Sequence, residues 1–500
     1  MNYIHIGQKS KMKTQLWRIN MTNGMPLIVD LDGTLTPSDT LVESVIKLVK
    51  QSPFNLLRLP IWLLSGKSRF KNAIAEHTQF SAEYLPYNES LLAYLRNEKA
   101  KGRKIVLATA AHRSIAESVS VHLGLFDLVL ATDTNLNLKG RAKLQAIEDA
   151  VGKHFVYAGD SLADLPIWKA ATAAILVGVT KKISKIIQLD TPIEQDFPKK
   201  RAGFAVWARA LRIHQWLKNL LLFVPLLTAF SFLEIEKIAT MMLAFLAFSL
   251  VASATYIVND LWDLENDRAH PRKRLRPFAN ARLPISHGLV VAAGALALAF
   301  TLAAALPTGF FLMLVLYLIL TSVYSWVLKE YVLLDVLMLS ILYTLRILAG
   351  SVAIGVAVSS WLMAFSVFIF LSLALVKRCA ELVSHEHNGV TASKGRDYRV
   401  TDLVVLWPLG LGAALSSVVV FGLFISAPDT QLRYATPQIL WLVAIGLIYW
   451  LARLWIKTSR SEMHDDPLIY AIKDRGSRVA IFLMIIVTLA AKFLTWPFNA

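Results

Sequence analysis

Two groups of acidic residues in this 500-residue chain have the types and spacing needed for phosphate chemistry. The first starts at Asp30-Leu31-Asp32-Gly33-Thr34, where two carboxylates two positions apart follow the apolar run Pro26 to Val29. Thr109 closes a second apolar run, and Gly159-Asp160-Ser161-Leu162-Ala163-Asp164 closes another; Lys139 and Lys143 lie between them. Brought to one rim, such acids hold a cation and a phosphate, a lysine balances the charge, and a hydroxyl donates to phosphate oxygen. The second group is Asn259-Asp260-Leu261-Trp262-Asp263-Leu264-Glu265-Asn266-Asp267. At the helical turn per residue, Asn259, Asp260, Asp263 and Asp267 fall within about 100° of arc. Three carboxylates and an amide on one face repel unless a cation sits among them, and hard oxygen donors suit Mg²⁺ carrying a diphosphate. The cations of His270-Pro271-Arg272-Lys273-Arg274-Leu275-Arg276-Pro277 can grip the same phosphates.

The first group needs a rim of strand ends. Pro26 to Asp30, Lys104 to Thr109, Asp127 to Ala131, His154 to Gly159 and Ala173 to Val177 read as buried strands separated by helical patterns. That is an α/β domain with a mainly parallel sheet, whose ligands lie at the carboxyl ends of the strands. The stretch from Ser38 to Tyr94 lacks a clear strand and reads as a helical cap over those ends. The expected organisation is a loose tail over 1–25, the α/β domain over 26–180, a lysine-rich linker over 181–203 and a membrane domain over 204–500.

The second group needs a helix end at a membrane surface. Hydrophobic residues make up 55% of the chain and charged residues only 17%, a pairing that favours a membrane protein. Phe204 to Asn219 mixes tryptophans with arginine and lysine, as an interfacial helix does. About nine apolar segments follow, near 217–233, 237–258, 288–307, 309–328, 332–354, 360–377, 402–426, 438–456 and 479–497. The loops 267–286, 378–401 and 457–478 are basic, and those near 306–308 and 355–359 carry no charge. The bias puts the basic loops, and with them the N-terminal domain, on the cytoplasmic side. The net charge of +17 thus fits loops beside anionic lipid and pockets for phosphorylated substrates. Nucleic acid is a poor partner, because the cations do not gather on a soluble domain with stacking aromatics. The single cysteine, Cys379, allows no intramolecular disulfide, and the first 25 residues lack the apolar run that export requires.

Over residues 26–180 the four motifs D-L-D-G-T, Thr109, a lysine and G-D-S-L-A-D resemble the haloacid dehalogenase (HAD) superfamily, a Rossmannoid α/β fold with a cap. The resemblance implies Asp30 as nucleophile, Asp32 as general acid and then base, and Thr109 as a phosphate donor. It implies Mg²⁺ held by Asp30, Asp160 and the Asp32 carbonyl, with Asp164 in support. Lys143 opens a helical pattern after the Gly140 turn and is preferred to Lys139 as the motif lysine. Over about 205–497, N-D-x-x-D-x-x-x-D followed by H-P-x-K-R-x-R-P resembles the UbiA superfamily of intramembrane prenyltransferases, all-α polytopic proteins. That resemblance implies Asn259, Asp260, Asp263 and Asp267 as the Mg²⁺–diphosphate site, with Asp260 and Asp263 catalytic.

Aromatic prenyltransferases carry a second D-x-x-x-D; here Asp335 stands alone and Leu339 occupies the partner position, after Tyr324 and Lys329. Gln215-Trp216-Leu217-Lys218-Asn219, Tyr343 to Gly350 around Arg346, and Lys377-Arg378-Cys379-Ala380-Glu381-Leu382 resemble the decaprenyl-phosphate phosphoribosyltransferase branch, from which His214 and Cys379 depart. In that branch the diphosphate belongs to phosphoribosyl pyrophosphate (PRPP), and polyprenyl phosphate is the nucleophile. The expected substrate contacts are Lys218, Asn219, His270, Lys273, Arg274, Arg276, Tyr324, Lys329, Asp335, Arg346, Lys377 and Arg378. Arg346 either meets phosphate or pairs with Asp335; Lys377 and Arg378 either anchor the helix at the interface or bind phosphate.

The expected protein is therefore a bifunctional enzyme of a bacterial inner membrane. One domain transfers 5-phosphoribose from PRPP to polyprenyl phosphate, and the other removes the 5-phosphate to leave polyprenyl-phosphoryl ribose for envelope glycans. The alternatives are a prenyltransferase using polyprenyl diphosphate with a separate phosphatase, and a phosphate-lipid binding protein without membrane catalysis. Asp263→Asn is expected to abolish transfer under either enzymatic reading; turnover retained in a membrane assay with labelled donor would sink both.

Overall fold

The computed structural model describes residues 24–134, 136–198, 202–387, 389, 396–463 and 466–495, so nearly all of the tail expected over 1–25 lies outside the described residues. The chain forms two compact units: Met1–Leu211 with Tyr256–Ala292, and Arg212–Thr255 with Ala293–Ala500.

The first unit is built on six parallel strands: β1 (Leu27–Val29), β2 (Ile105–His112), β3 (Leu128–Thr132), β4 (Val156–Gly159), β5 (Ala173–Val177) and β6 (Ile193–Phe197). Their order is β3-β2-β1-β4-β5-β6. Chain order reverses at β1, so a crevice opens at its carboxyl end, where Asp30 stands. Both faces of the sheet are covered, which is why its strands read as continuous apolar runs. Leu27, Val29, Ile105 and Leu107 pack towards Leu91, Leu92 and Leu95 of one helix and Ile115 and Val119 of another. Ile28, Val106 and Tyr157 pack the other way, towards Ile147, Ile167, Trp168 and Ile187.

The cap comprises α1 (Thr40–Gln51), α2 (Asn55–Leu64) and α3 (Lys67–His77). The helix after it, α4 (Glu89–Ala100), belongs to the sheet layer, so the insertion is shorter than Ser38 to Tyr94. Residues 181–203 are likewise not a simple linker. They hold the helix Lys181–Asp190 and the edge strand β6, which pairs with β5. The strand I-E-Q-D-F escaped notice because an edge strand needs no apolar run. It is tied to the domain by Arg103, which bonds Glu98 at 2.9 Å and Glu194 at 2.6 Å with all three side chains nearly excluded from solvent.

The described residues contain eight helices long and apolar enough to cross a membrane: Ile235–Trp262, Ile285–Ala304, Thr308–Trp326, Leu334–Ile354, Ser360–His387, Val400–Ser426, Pro437–Ser459 and Arg475–Phe493. The first apolar segment, near 217–233, is not among them. It forms a 3₁₀ stretch, Ile213–Phe223, and the short helix Val224–Thr228 with Pro225 in its first turn. It packs its backbone on the helix Leu334–Ile354: a Cβ on Gly350 would stand 2.0 Å from the Leu222 carbonyl oxygen. Only glycine admits that approach. The second unit's core lies between the later helices, with Leu375, Leu382, Leu440, Leu454 and Ala491 buried together.

Arg103→Ala takes the cation from half-buried Glu194 and leaves buried Glu98 with Lys101 alone. It is expected to cost about 3–5 kcal/mol, read as a lower unfolding midpoint for the α/β domain.

Candidate functional sites

The first site forms at the ends of β1 and β4. Asp30 follows β1, and its carboxylate accepts from its neighbour Leu31 N–H at 2.8 Å and from Lys143 Nζ at 2.8 Å. Lys143 is buried; its ammonium also bonds the Tyr157 hydroxyl at 2.9 Å, and that hydroxyl donates to Asp164 at 2.8 Å. Asp164 accepts from the backbone N–H groups of Asp160 and Ser161 as well. Lys143 is therefore the lysine of the site, while Lys139 is exposed at the cavity's edge. Tyr157 was missed; its signal was the alternation of β4, which turns it to the same side as Ile28 and Trp168.

Asp30, Asp160 and Asp164 bring ligand oxygens within 4.8 Å of one another, a grouping that can hold a metal ion. Gly33, with φ +79°, closes the loop over them, and a Cβ there would lie 2.2 Å from Asp160 Oδ2. Burial, then the Asp30 charge, pushes the Asp160 carboxyl up to about 7. Burial also raises Asp30, against the pull of Lys143. Crowded hard carboxylates with raised affinities for protons are the donor set a small dication relieves, so these residues fit Mg²⁺. Asp32 does not join the three. It accepts from Thr40 N–H at 2.9 Å at the start of α1, and burial, then Asp39, lifts it to about 7. A carboxyl with that pKa holds or releases a proton near neutral pH. Thr109 is fully buried, its hydroxyl accepting from Ala111 N–H at 3.0 Å, and Ala110 rather than Thr109 lines the cavity.

The cavity beside Asp30 measures about 360 Å³, enough for a small phosphorylated sugar. Asp32, Ser38, Lys139 and Asp160 line one part, and residues 278–286 line the other, through Phe278, Ala281, Leu283, Pro284, Ile285 and Ser286. That second wall is latched. Arg268 meets both oxygens of Glu43 on α1, at 2.7 and 2.8 Å, with both side chains nearly buried. Its Nε donates to the Ala279 carbonyl at 3.0 Å. Glu43 accepts in turn from the Ser38 hydroxyl.

The second acidic group begins in the last turn of the helix Ile235–Trp262 and lies in the same unit as the first site. That helix stops at Trp262 and a short one resumes at Leu264, yet Asp263 N–H still bonds Asn259 at 3.0 Å and Asp267 N–H still bonds Asp263 at 2.8 Å. The expected single face thus survives the break. Arg276 supplies a countercharge from within the chain: Nη1 lies 3.1 Å from Asp260 and 2.6 Å from Asp267. Burial raises Asp267 against the pull of Arg276. Lys50 of α1 approaches Asp263 at 3.8 Å, and Lys47 pairs with Glu265 at 2.8 Å. His270 accepts through Nδ1 from the N–H groups of Arg272 and Lys273 and so shapes the turn; Lys273 and Arg274 are exposed.

Several of the expected substrate residues of the second unit have partners within the chain. Asp335 is fully buried and accepts from Arg378 Nη2 and the Tyr398 hydroxyl, both at 2.5 Å. Arg378, also buried, pairs with Glu381, which accepts from Arg396 at 2.8 Å. Asp335 and Arg378 are thus each other's partners. Arg346 does not pair with Asp335. Its guanidinium donates to Asn219 Oδ1 at 3.0 Å and to the Tyr317 hydroxyl at 2.9 Å. Lys218 and Lys377 converge on Asp466, at 2.6 and 3.7 Å. Burial alone would raise Asp466, but the two lysines hold it below the usual carboxylate range. Tyr324 and Lys329 are half-buried at and beyond the end of the helix Thr308–Trp326.

A UbiA prenyltransferase family model matches residues 220–473, and a haloacid dehalogenase-like hydrolase model matches residues 27–169. The uncharacterized protein y4nM of Sinorhizobium fredii is 41% identical over 460 residues, covering 91% of this chain and 88% of its own. Nodulation protein NoeC of Azorhizobium caulinodans is 34% identical over 278 residues, 56% of this chain and 90% of its own. Decaprenyl-phosphate phosphoribosyltransferase of Corynebacterium glutamicum is 33% identical over 228 residues, 45% of this chain and 69% of its own.

Gly33→Ala forces a side chain onto Asp160. Phosphate release at this site, measured with p-nitrophenyl phosphate, is expected to fall roughly 100-fold, with label transfer into lipid retained.

Proposed function

The chain belongs to the UbiA prenyltransferase family and carries a haloacid dehalogenase-like hydrolase domain at its N-terminal side, and on that premise we propose a bifunctional membrane enzyme that makes and then trims one lipid-linked sugar. In the first reaction an oxygen of polyprenyl phosphate attacks C1 of the ribose of PRPP and displaces pyrophosphate. In the second, water removes the 5-phosphate, leaving polyprenyl-phosphoryl ribose and inorganic phosphate. The similarity to decaprenyl-phosphate phosphoribosyltransferases supports the first step. The observation that carries the pairing is the acid cluster at Asp30, opening on a cavity whose other wall, residues 278–286, continues from the acidic segment.

For hydrolysis, Asp30 is the nucleophile. Its carboxylate attacks phosphorus, and Asp32 gives the leaving 5-oxygen its proton. Asp32 then takes a proton from the water that hydrolyses the aspartyl-phosphate, two roles that a carboxyl near pKa 7 can alternate between. Lys143 spans Asp30 and Asp164 and offsets the charge that gathers as phosphate enters. Mg²⁺ bound at Asp30, Asp160 and Asp164 would supply further charge neutralisation on the phosphoryl oxygens. For transfer, Asn259, Asp260, Asp263 and Asp267 have the oxygen donors to hold Mg²⁺ with the diphosphate of PRPP. Arg276, already beside two of these acids, is the nearest cation to meet that diphosphate. Lys218 and Lys377 are read as contacts for the lipid phosphate. The basic loops support a reading in which the N-terminal domain and both reactions face the cytoplasmic side of a bacterial inner membrane.

The test is a membrane assay with labelled PRPP, polyprenyl phosphate and Mg²⁺, comparing wild type with Asp30→Asn. Label is expected to enter lipid in both, with the 5-phosphorylated form accumulating only in the variant. If no label enters lipid, the phosphoribosyl reading falls, and polyprenyl diphosphate with aromatic acceptors becomes the next substrate pair.

A further inference from the structure

Helix α2 is apolar along most of its length and leaves that surface uncovered. It reads N-L-L-R-L-P-I-W-L-L, yet it buries only Asn55. Leu57 is 72% exposed, Ile61 64% and Leu64 89%, and Phe54 just before the helix is 77% exposed. A contiguous apolar surface of this kind is costly in water and marks a site of contact. Its charge pattern is one-sided: between Glu43 and Glu76 the chain has no acid but carries Lys47, Lys50, Arg58, Lys67, Arg69 and Lys71. Of these, Arg58, Lys67 and Arg69 are exposed beside the apolar surface. Trp62 is half-buried within it.

The location of α2 says what covers it. Lys50, near the end of α1, donates to the carbonyl of Trp262 at 3.1 Å. Trp262 is the last residue of the membrane-crossing helix Ile235–Trp262. Asn55 comes five residues after Lys50, at most about 18 Å of extended chain. The apolar helix therefore starts close to the membrane-side end of a span. Leucines and isoleucines on the helix, a tryptophan among them and arginines and lysines at the flanks are what a helix lying in the headgroup layer requires.

We propose that α2 is an interfacial membrane helix that seats the cap of the hydrolase domain in the same bilayer that the spans cross. Its leucines, Ile61 and Phe54 enter the acyl boundary, and Arg58, Lys67 and Arg69 meet anionic headgroups. This goes beyond the reaction scheme and holds whatever the substrates are.

The test uses the full-length chain in vesicles of phosphatidylcholine and phosphatidylglycerol. Cys379, the single cysteine, is buried and is removed as Cys379→Ala. An environment-sensitive fluorophore is then attached at Ile61→Cys, at Leu57→Cys as a second position, or at Val121→Cys as a control. Val121, 84% exposed, lies on the helix Arg113–Leu123, away from α2 in sequence. The expected result is quenching of the Ile61 and Leu57 probes by doxyl-labelled lipid and several-fold weaker quenching by aqueous iodide than at Val121. Iodide quenching equal to that at Val121 would place α2 in water and overturn the proposal. Protection from both quenchers would mean that a second copy or another protein covers the helix, and would overturn it equally.

Discussion

Like charge crowded at two neighbouring strand ends is the constraint around which the first unit is organised. Asp30, Asp160 and Asp164 stand close enough to share one ion, and burial with the neighbouring carboxylates raises the cost of ionising Asp30 and Asp160. The sheet order makes the crowding possible by putting β1 and β4 side by side at the switch point. Lys143 and Tyr157 make it tolerable, one as a buried cation and the other as a relay to Asp164. The loop at Gly33 then closes over the acids, because no side chain stands in the way.

The second unit meets the same problem with pairing instead of concentration. Asp335 and Arg378 cancel within an apolar interior, with Tyr398 on the remaining oxygen. A buried pair of this kind offers little net stability, but either member alone would be prohibitive. Lys218 and Lys377 are held differently. They share one carboxylate, Asp466, so two cations face one anion.

Five of the six strands were legible because a doubly covered sheet writes itself as apolar runs, and the clustered acids were legible because they end those runs. The edge strand Ile193–Phe197 was not, since half its side chains face solvent. Lys143 was preferred to Lys139 on the helical pattern after Gly140, and packing adds that Lys143 is buried beside Asp30. The second acidic group was visible as a helical face. Its partner Arg276 was read as a phosphate grip, because sequence spacing gives no view of the loop folding back. The pairing of Asp335 with Arg378 was hidden for a related reason. Forty-three residues separate them, and a charge in an apolar span reads as functional until its partner is found. The segment near 217–233 has the composition of a span, but a proline, a polar Lys218-Asn219 pair and the approach to Gly350 fold it otherwise.

The wall formed by residues 278–286 bears on how such a protein can be inherited. The chain that folds as the α/β domain ends near β6, yet the cavity it uses is finished by a stretch some eighty residues further along. A split of the gene at the obvious boundary would separate the acids from part of their enclosure. Two independent polypeptides could replace the fusion only if the Glu43–Arg268 contact were kept as an intermolecular one. A substitution in residues 278–286 therefore reaches the cavity of the α/β domain as well as the loop that carries it.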